Sequence, residues 1–288
     1  MEQANQSILV TGCSVGFGKE IALYLAEQGY QVYATMRNLE KSQELAGEAA
    51  RRAVKLRILR LDVTDEASIA GTVATIVAET GGIGGVVNNA GQIVRGYFED
   101  LSDAEIRGIF EANFFGMLAV TRAVLPHLRQ ARRGRIVIIS SVAGRIGSPT
   151  GSAYSASRHA QEGFAESLRQ EVEPLGIYVS LIEPGITKTE SWTADKGSAA
   201  KAHDPNSPYY AWFKRAEMLF SRAMDSSPIT TRDVAHAVYR ALSEPRPRWR
   251  YMVGTRARLV VTARKLLPSE FFNRVYFGAL VRRISGAG

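Results

Sequence analysis

Two residues in the stretch YSASRHAQ, Tyr154 and Arg158, are of types that can do proton chemistry together. A phenol can give or take a proton, and a guanidinium keeps its charge at any physiological pH. Residues at i and i+4 share a helix face, so a helix through this stretch sets the cation one turn from the phenol. A unit charge about 5 Å away, at an effective dielectric of about 20, favours phenolate by roughly 3 kcal/mol. In isolation the same pair reads equally as a solvated surface contact, so the rest of the chain has to decide.

A second group of residues could hold phosphate. TGCSVGFG places glycines at 12, 16 and 18, where a backbone free of side chains can approach a pyrophosphate and the next helix can present its unpaired N–H groups. The spacing is not that of the G-x-G-x-x-G fingerprint. At the end of the second apolar run an acid would bind a ribose 2′-hydroxyl, whereas arginine suits a 2′-phosphate. The residues there are ATMRN, so Arg37, with Ser14 reaching from the glycine turn, predicts NADP(H) as the cofactor.

These residues need a frame. SILVTG reads as a strand ending in a turn, and KEIALYLAEQG as a helix stopping at Gly29. QVYATMR, LRILRLDV, GGVVNNAG, RIVIISS, IYVSLIEPG and RYMVG read as further strands. LEKSQELAGEAARR, SIAGTVATIVAETG and the stretch from Tyr154 read as helices. Strands alternating with helices imply βαβ units, hence one doubly wound, Rossmann-type α/β domain over residues 1–288, its parallel sheet covered on both faces. Residues 189–228 read as an irregular insert, and residues 255–288 as a basic amphipathic extension interrupted by Pro268.

The bulk composition narrows the partners. With 45% hydrophobic and 22% charged residues the chain has the make-up of a soluble globular protein. Its single cysteine, Cys13, excludes an internal disulfide. MEQANQSILV lacks the basic start and long apolar stretch of an export signal, and no run is expected to reach the length of a membrane span. A cytoplasmic protein is expected, with membrane association through the tail as a further option. The net charge of +8 is mostly a tail property, since Arg256, Arg258, Arg264, Lys265, Arg274, Arg282 and Arg283 face Glu270 alone. Nucleic-acid binding is therefore not expected. His127, His159, His203 and His236 have no ligand spacing, so no metal site is expected.

With TGCSVGFG, LDV at 61–63, NNAG at 88–91, Asn113, Ser141, Tyr154 and PG at 184–185 in that order, the chain resembles the classical short-chain dehydrogenases/reductases. TGCSVGFG, VYATMR and SSVAG look most like the branch containing 17β-hydroxysteroid and retinol dehydrogenases. The resemblance spans about Ser7 to Gly254 and fades in the insert and the tail. It implies that Tyr154 is the acid/base, that Ser141 holds the substrate oxygen, and that Asn113 positions a water in a proton relay. It implies that the cofactor is bordered by Gly12, Ser14, Gly16, Phe17, Gly18, Arg37, Asp62 and Val63. Asn89, Ala90, Gly91, Tyr154, Arg158, Pro184, Gly185, Thr187 and Thr189 complete that border.

One position departs from the family, which has lysine four residues after the tyrosine, where this chain has Arg158. Arginine supplies the charge and has donors for ribose hydroxyls, but it aims them differently and does not release a proton. Two readings follow. In one, the chain is an NADP(H)-dependent oxidoreductase interconverting a carbonyl and an alcohol. In the other, it is a nucleotide-binding interaction protein whose chemistry is lost through Arg158. Trp192, Tyr209, Tyr210, Trp212 and Phe213 fall where this family builds its substrate lid, which suggests a bulky hydrophobic ketone, aldehyde or alcohol. They could equally be a lid packing on its own domain. The tail could lie on an anionic membrane surface or serve as a lid or subunit contact, and a homodimer or homotetramer is expected.

Overall fold

The computed structural model describes residues 7–189 and 197–286. Seven strands, β1 (Ser7–Val10), β2 (Gln31–Met36), β3 (Leu56–Arg60), β4 (Gly85–Asn88), β5 (Gly134–Ile139), β6 (Ile177–Pro184) and β7 (Arg250–Val253), form one sheet in the order β3-β2-β1-β4-β5-β6-β7. Every pairing is parallel. Parallel strands covered on both faces read as continuous apolar runs, which is why SILV of β1 is buried at all four positions.

One face is covered by α1 (Gly16–Glu27), α2 (Ser42–Arg51) and α8 (Thr231–Ser243), with Ile21, Leu45 and Val238 fully buried. The other is covered by α3 (Glu66–Thr80), α5 (Gly116–Ala131) and α6 (Ser152–Val172), with Ile76, Val120 and Leu128 fully buried. Each such side chain contributes about 1.5–3 kcal/mol relative to exposure. Because β1 pairs with β2 on one side and with β4 on the other, the connections leaving β1 and β4 diverge. A crevice opens at the carboxyl ends of the strands there, the usual ligand position of an open α/β sheet.

Two expectations need correction. The first concerns α4 (Asp103–Phe110), which runs through a π-helical turn (Glu111–Phe115) into α5. The run starts where Ser102 and Glu105 form a capping box. Over residues 103–131 it contains a window of mean hydropathy 1.3, so by length and composition it is apolar enough to cross a membrane, contrary to the absence expected. Met117, Val120, Val124 and Leu128 are its buried face and pack in the core beneath the sheet.

The second concerns residues 189–228, which are not irregular throughout. They include a 3-10 turn (Ala200–His203) and α7 (Tyr210–Asp225). Helix forms because Phe213, Ala216 and Met224 recur on one face and bury it.

The tail continues through α9 (Thr255–Leu266), α10 (Ser269–Phe272), a second π-helical turn (Asn273–Phe277) and α11 (Gly278–Ser285), and Pro268 separates α9 from α10. Val261 and Phe272 pack with Ile146. Arg215 of α7 donates to the carbonyls of Ile284 at 2.5 Å and Ser285 at 3.2 Å, which ties α11 to α7.

Candidate active site

The glycine turn is held shut by side chains from β4. Asn89 Nδ2 donates to the carbonyls of Thr11 at 2.9 Å and Gly12 at 3.1 Å. Thr11 Oγ1 in return accepts from the N–H groups of Asn89 and Ala90, both at 3.0 Å. Gly12 has φ of 73°, and a Cβ on Gly18 would lie 2.2 Å from the Gly12 carbonyl oxygen, so neither position tolerates a side chain. The start of α1 has no side-chain cap and no acid in its first turn. By contrast α3, α4 and α8 are capped by Asp65, Ser102 and Thr230. The bare N–H groups and positive dipole end of α1 therefore suit a pyrophosphate.

Other predicted cofactor residues sit around this crevice. Arg37 is exposed directly after β2, with Ser14 half-buried in the glycine turn and Phe17 packed against the core below it. Burial alone would push the Asp62 carboxyl up. Hydrogen bonds from the Thr64 N–H and hydroxyl, with the Arg37 and Arg60 charges, outweigh burial and hold it below its ordinary value. Val63 packs on the start of α5, where a Cβ on Gly116 would approach its side chain to 2.7 Å. Pro184 ends β6, Gly185 N–H donates to the Val253 carbonyl at 2.9 Å, and Thr187 Oγ1 donates to the Gly185 carbonyl at 3.0 Å. Thr189 is the last residue described before the gap, and Trp192 lies outside the described residues.

The proton-bearing residues meet on α6. Tyr154 is half-buried in the first turn, and the Arg158 Cζ lies 4.9 Å from its ring centroid, a cation–π distance. Arg158 is 7% exposed, so the cation of the pair is buried rather than solvated. Its Nη1 donates to the Ile139 carbonyl at 2.8 Å and to Gln161 Oε1 at 2.9 Å. Its Nη2 faces Gly91, where a Cβ would come within 3.1 Å. Ser141 follows β5, and its Oγ accepts from the Ala143 N–H at 3.1 Å, which leaves the hydroxyl proton available to a ligand. The turn after it packs on α6, since a Cβ on Gly144 would lie 3.1 Å from the Arg158 carbonyl oxygen.

Asn113, fully buried in the π-helical turn, is tied on every side. Its Oδ1 accepts from the Gln92 N–H at 2.7 Å, and its Nδ2 donates to the Gln92 carbonyl at 2.9 Å and to Ser157 Oγ at 3.1 Å. Its own carbonyl accepts from Gln161 Nε2 at 2.6 Å. The carbonyl of Asn113, a residue expected to position a water in a proton relay, accepts from the side chain of Gln161. Gln161, Gln92, Ser157 and Thr11 were missed. Only Gln161 carried a usable signal, lying three residues beyond Arg158 on the same helix face.

The predicted aromatics divide. Tyr209 stacks on Tyr97 with ring centroids 4.8 Å apart, and Trp212 leans on both at 6.2 and 6.1 Å. Tyr209 donates to Glu99 at 2.7 Å, and Tyr210 lies beneath the Lys214 ammonium. Phe213 differs, since it is fully buried with Leu101, Ile109 and Ala153 and acts as packing beneath the start of α6. Arg95, 2% exposed and also missed, bonds Glu217 of α7 through two 2.8 Å contacts and so fixes α7 to the loop after β4.

Behind the site, Glu183 is fully buried between Arg145 and Arg250. Arg250 also pairs with Glu162, which accepts from Ser140 Oγ at 2.5 Å. Burial pushes the Glu183 carboxyl up, with Arg145 offsetting only part of it. Burial and the like charge of Arg145 bring Arg250 down to about 10. Among the described residues no cluster of metal-ligating side chains forms.

Comparison with known proteins points one way. The sequence profile of the short chain dehydrogenases matches residues 6–199. Retinol dehydrogenase 8 from Bos taurus is 35% identical over 281 residues, 93% of this chain and 88% of that protein. The 3-ketodihydrosphingosine reductase of Bacteroides thetaiotaomicron is 36% identical over 249 residues, 86% of this chain and 88% of its own. A variant actinorhodin polyketide ketoreductase solved with NADPH is 28% identical, with a TM-score of 0.74, covering 88% of this chain and 97% of that one. A Burkholderia phymatum protein of this type solved with NAD is 21% identical, with a TM-score of 0.77 over 92% of this chain and 95% of that one, and is alike in fold.

Proposed function

The chain belongs to the short chain dehydrogenase family of oxidoreductases, and from that premise we propose that it interconverts a carbonyl and an alcohol on a bulky hydrophobic substrate with NADP(H). The observation carrying this reading is Tyr154 with a buried cation over its ring, at the same end of the sheet as Ser141 and the bare glycine turn. A nicotinamide dinucleotide, when bound, supplies or accepts the hydride. Tyr154 gives its phenolic proton to the carbonyl oxygen, or takes it back from the alcohol. Ser141 donates its hydroxyl hydrogen to that oxygen and holds it near the phenol. Arg158 lies over the Tyr154 ring, and its Nη2 side is turned to the Gly91 turn, where ribose hydroxyls need donors.

Arg37 supports the phosphorylated cofactor, being an exposed cation with no ion pair among the described residues. The names of two relatives, a retinol dehydrogenase and a ketodihydrosphingosine reductase, join an oxygen function to a long apolar chain. A substrate of that shape fits a lid bearing Tyr209, Tyr210 and Trp212. The interaction-protein reading is weaker, because a site emptied of chemistry has no need of Tyr154, Ser141 and Asn113 together.

The tail adds a peripheral role. Leu266 is 78% exposed and Phe271 55% exposed beside Arg264, Lys265 and Arg274, a combination suited to an anionic membrane surface. A cytoplasmic homodimer or homotetramer that touches membranes reversibly is the working picture, and light scattering gives its stoichiometry. NADPH consumption with retinal, a steroid ketone and long-chain 3-ketones, beside NADPH binding, tests the activity. Turnover with at least one is expected. Tight NADPH binding without turnover across the panel would replace the enzyme by the interaction protein.

A further inference from the structure

Gln161 is 1% exposed and uses both ends of its amide. Oε1 accepts from Arg158 Nη1 at 2.9 Å, and Nε2 donates to the Asn113 carbonyl at 2.6 Å. The same Nη1 donates to the Ile139 carbonyl at the end of β5. One guanidinium nitrogen is thus gripped by sheet and helix together, while Nη2 remains on the Gly91 side. The Asn113 side chain, engaged with Gln92 and Ser157, fixes the turn that offers the carbonyl.

We infer that Gln161 is a positioning residue for the reaction: its amide spans from the Arg158 guanidinium to the Asn113 carbonyl and sets the cation over the Tyr154 ring with Nη2 aimed at the cofactor side. The inference rests on reading Tyr154 and Arg158 as the acid/base pair. Only an amide meets the local demand, which is an acceptor toward a cation and a donor toward a carbonyl from one planar group. A carboxylate would supply the first and repel the second. A hydrocarbon would leave a buried carbonyl and a buried N–H short of partners, at a cost.

A consequence concerns proton traffic. Neither a guanidinium nor an amide releases a proton at neutral pH. The chain Arg158, Gln161, Asn113 therefore orients without conducting, and Tyr154 exchanges its proton on the cleft side. It also follows that Arg158→Lys alone is a poor repair. A lysine carries all its donors on one nitrogen, so if that nitrogen takes the place of Nη1 on the Ile139 and Gln161 acceptors, no second nitrogen stands on the Gly91 side as Nη2 does.

The test uses the full chain with NADP bound, 15N-labelled at arginine, with Arg158 signals assigned through Arg158→Met. Resolved, slowly rotating Nη protons are expected for Arg158 in the parent, and their collapse in Gln161→Met. With a carbonyl substrate, Gln161→Met should lower kcat tenfold or more and leave the substrate KM within twofold. In an Arg158→Met background the same change should alter kcat by less than twofold. Unchanged Arg158 signals, or losses that multiply independently, would overturn the inference. Should Gln161→Met not fold, Gln161→Glu keeps shape and acceptor but pairs the cation with a charge, and full activity there would equally overturn it. A parent without turnover defeats the enzyme reading, while the Arg158 signals still decide whether Gln161 sets the guanidinium.

Discussion

The face of α6 from Tyr154 to Gln161 and the region formed by α7 with the tail obey different rules. On α6, Arg158 and Gln161 are buried and their bonds reach two other elements, β5 and the π-helical turn, where Asn113 bonds the loop after β4 in turn. In the lid and tail the large side chains meet mostly each other or solvent. Tyr97, Tyr209 and Trp212 form a local stack, and Leu259, Leu266 and Val275 are more than half exposed. The first arrangement admits little variation without loss, as a buried polar network must be satisfied throughout. The second can be altered piece by piece. On the proposed function this difference separates chemistry from substrate choice and location, and each prediction below sets one region against the other.

The largest effect belongs to α6. Tyr154→Phe removes the proton donor while keeping the ring that Arg158 covers, so NADPH binding should change by less than about threefold while kcat falls about 10²- to 10⁴-fold or more. Stopped-flow turnover beside NADPH fluorescence titration checks it. An unchanged kcat would remove the acid/base assignment altogether.

That site was largely legible in the sequence because its signals are local. Tyr154 and Arg158 are one helical turn apart, and the glycine turn follows directly on β1. Gln161 shares that helix face, but only half of what it does is local. Its role depends on the Asn113 carbonyl, which sits in a π-helical turn that no pattern in EANFF announces. The run over 103–131 was passed over although Met117, Val120, Val124 and Leu128 recur on one helix face. Tyr210–Asp225 was read as irregular because the preceding prolines and glycine obscured a helix whose buried stripe is only three residues.

Next in size is cofactor choice, set on the β2 side of the crevice. Arg37→Asp trades a donor to a 2′-phosphate for an acceptor from a 2′-hydroxyl. The preference for NADPH over NADH should fall by about 1.5–3 kcal/mol, or roughly tenfold to a hundredfold. Dissociation constants for both nucleotides measure it. Equal affinities in the parent would mean that Arg37 does not face the phosphate.

In the lid a single truncation should act on substrate and spare the chemistry. Trp212 is 39% exposed and leans on the Tyr97–Tyr209 stack, so Trp212→Ala should raise KM for a long-chain carbonyl several-fold, about 1 kcal/mol, with kcat within twofold. The same change should leave KM for a short ketone unmoved. A parallel loss of kcat for both substrates would mean that the stack supports α6 and that the two regions are not separable.

The smallest effect on turnover, and the sharpest separation of the two regions, is expected in the tail. Leu266 and Phe271 bracket Pro268 and project apolar surface beside Arg264, Lys265 and Arg274, whereas Phe272 turns inward against Val261 and Ile146. The outward side chains are free to change because the inward ones hold the tail in place. Leu266→Glu with Phe271→Glu should therefore leave kcat, KM and melting temperature nearly unchanged. Each acid also opposes the electrostatic attraction that one cation supplies near an anionic bilayer, about 1 kcal/mol per charge. Cosedimentation with vesicles containing phosphatidylserine should then be strong and salt-sensitive for the parent and weak for the variant at every salt concentration. If the parent fails to bind vesicles even at low salt, the exposed face is not a membrane contact. A parent that is dimeric by light scattering and a variant that is monomeric would then assign the surface to a second copy of the chain.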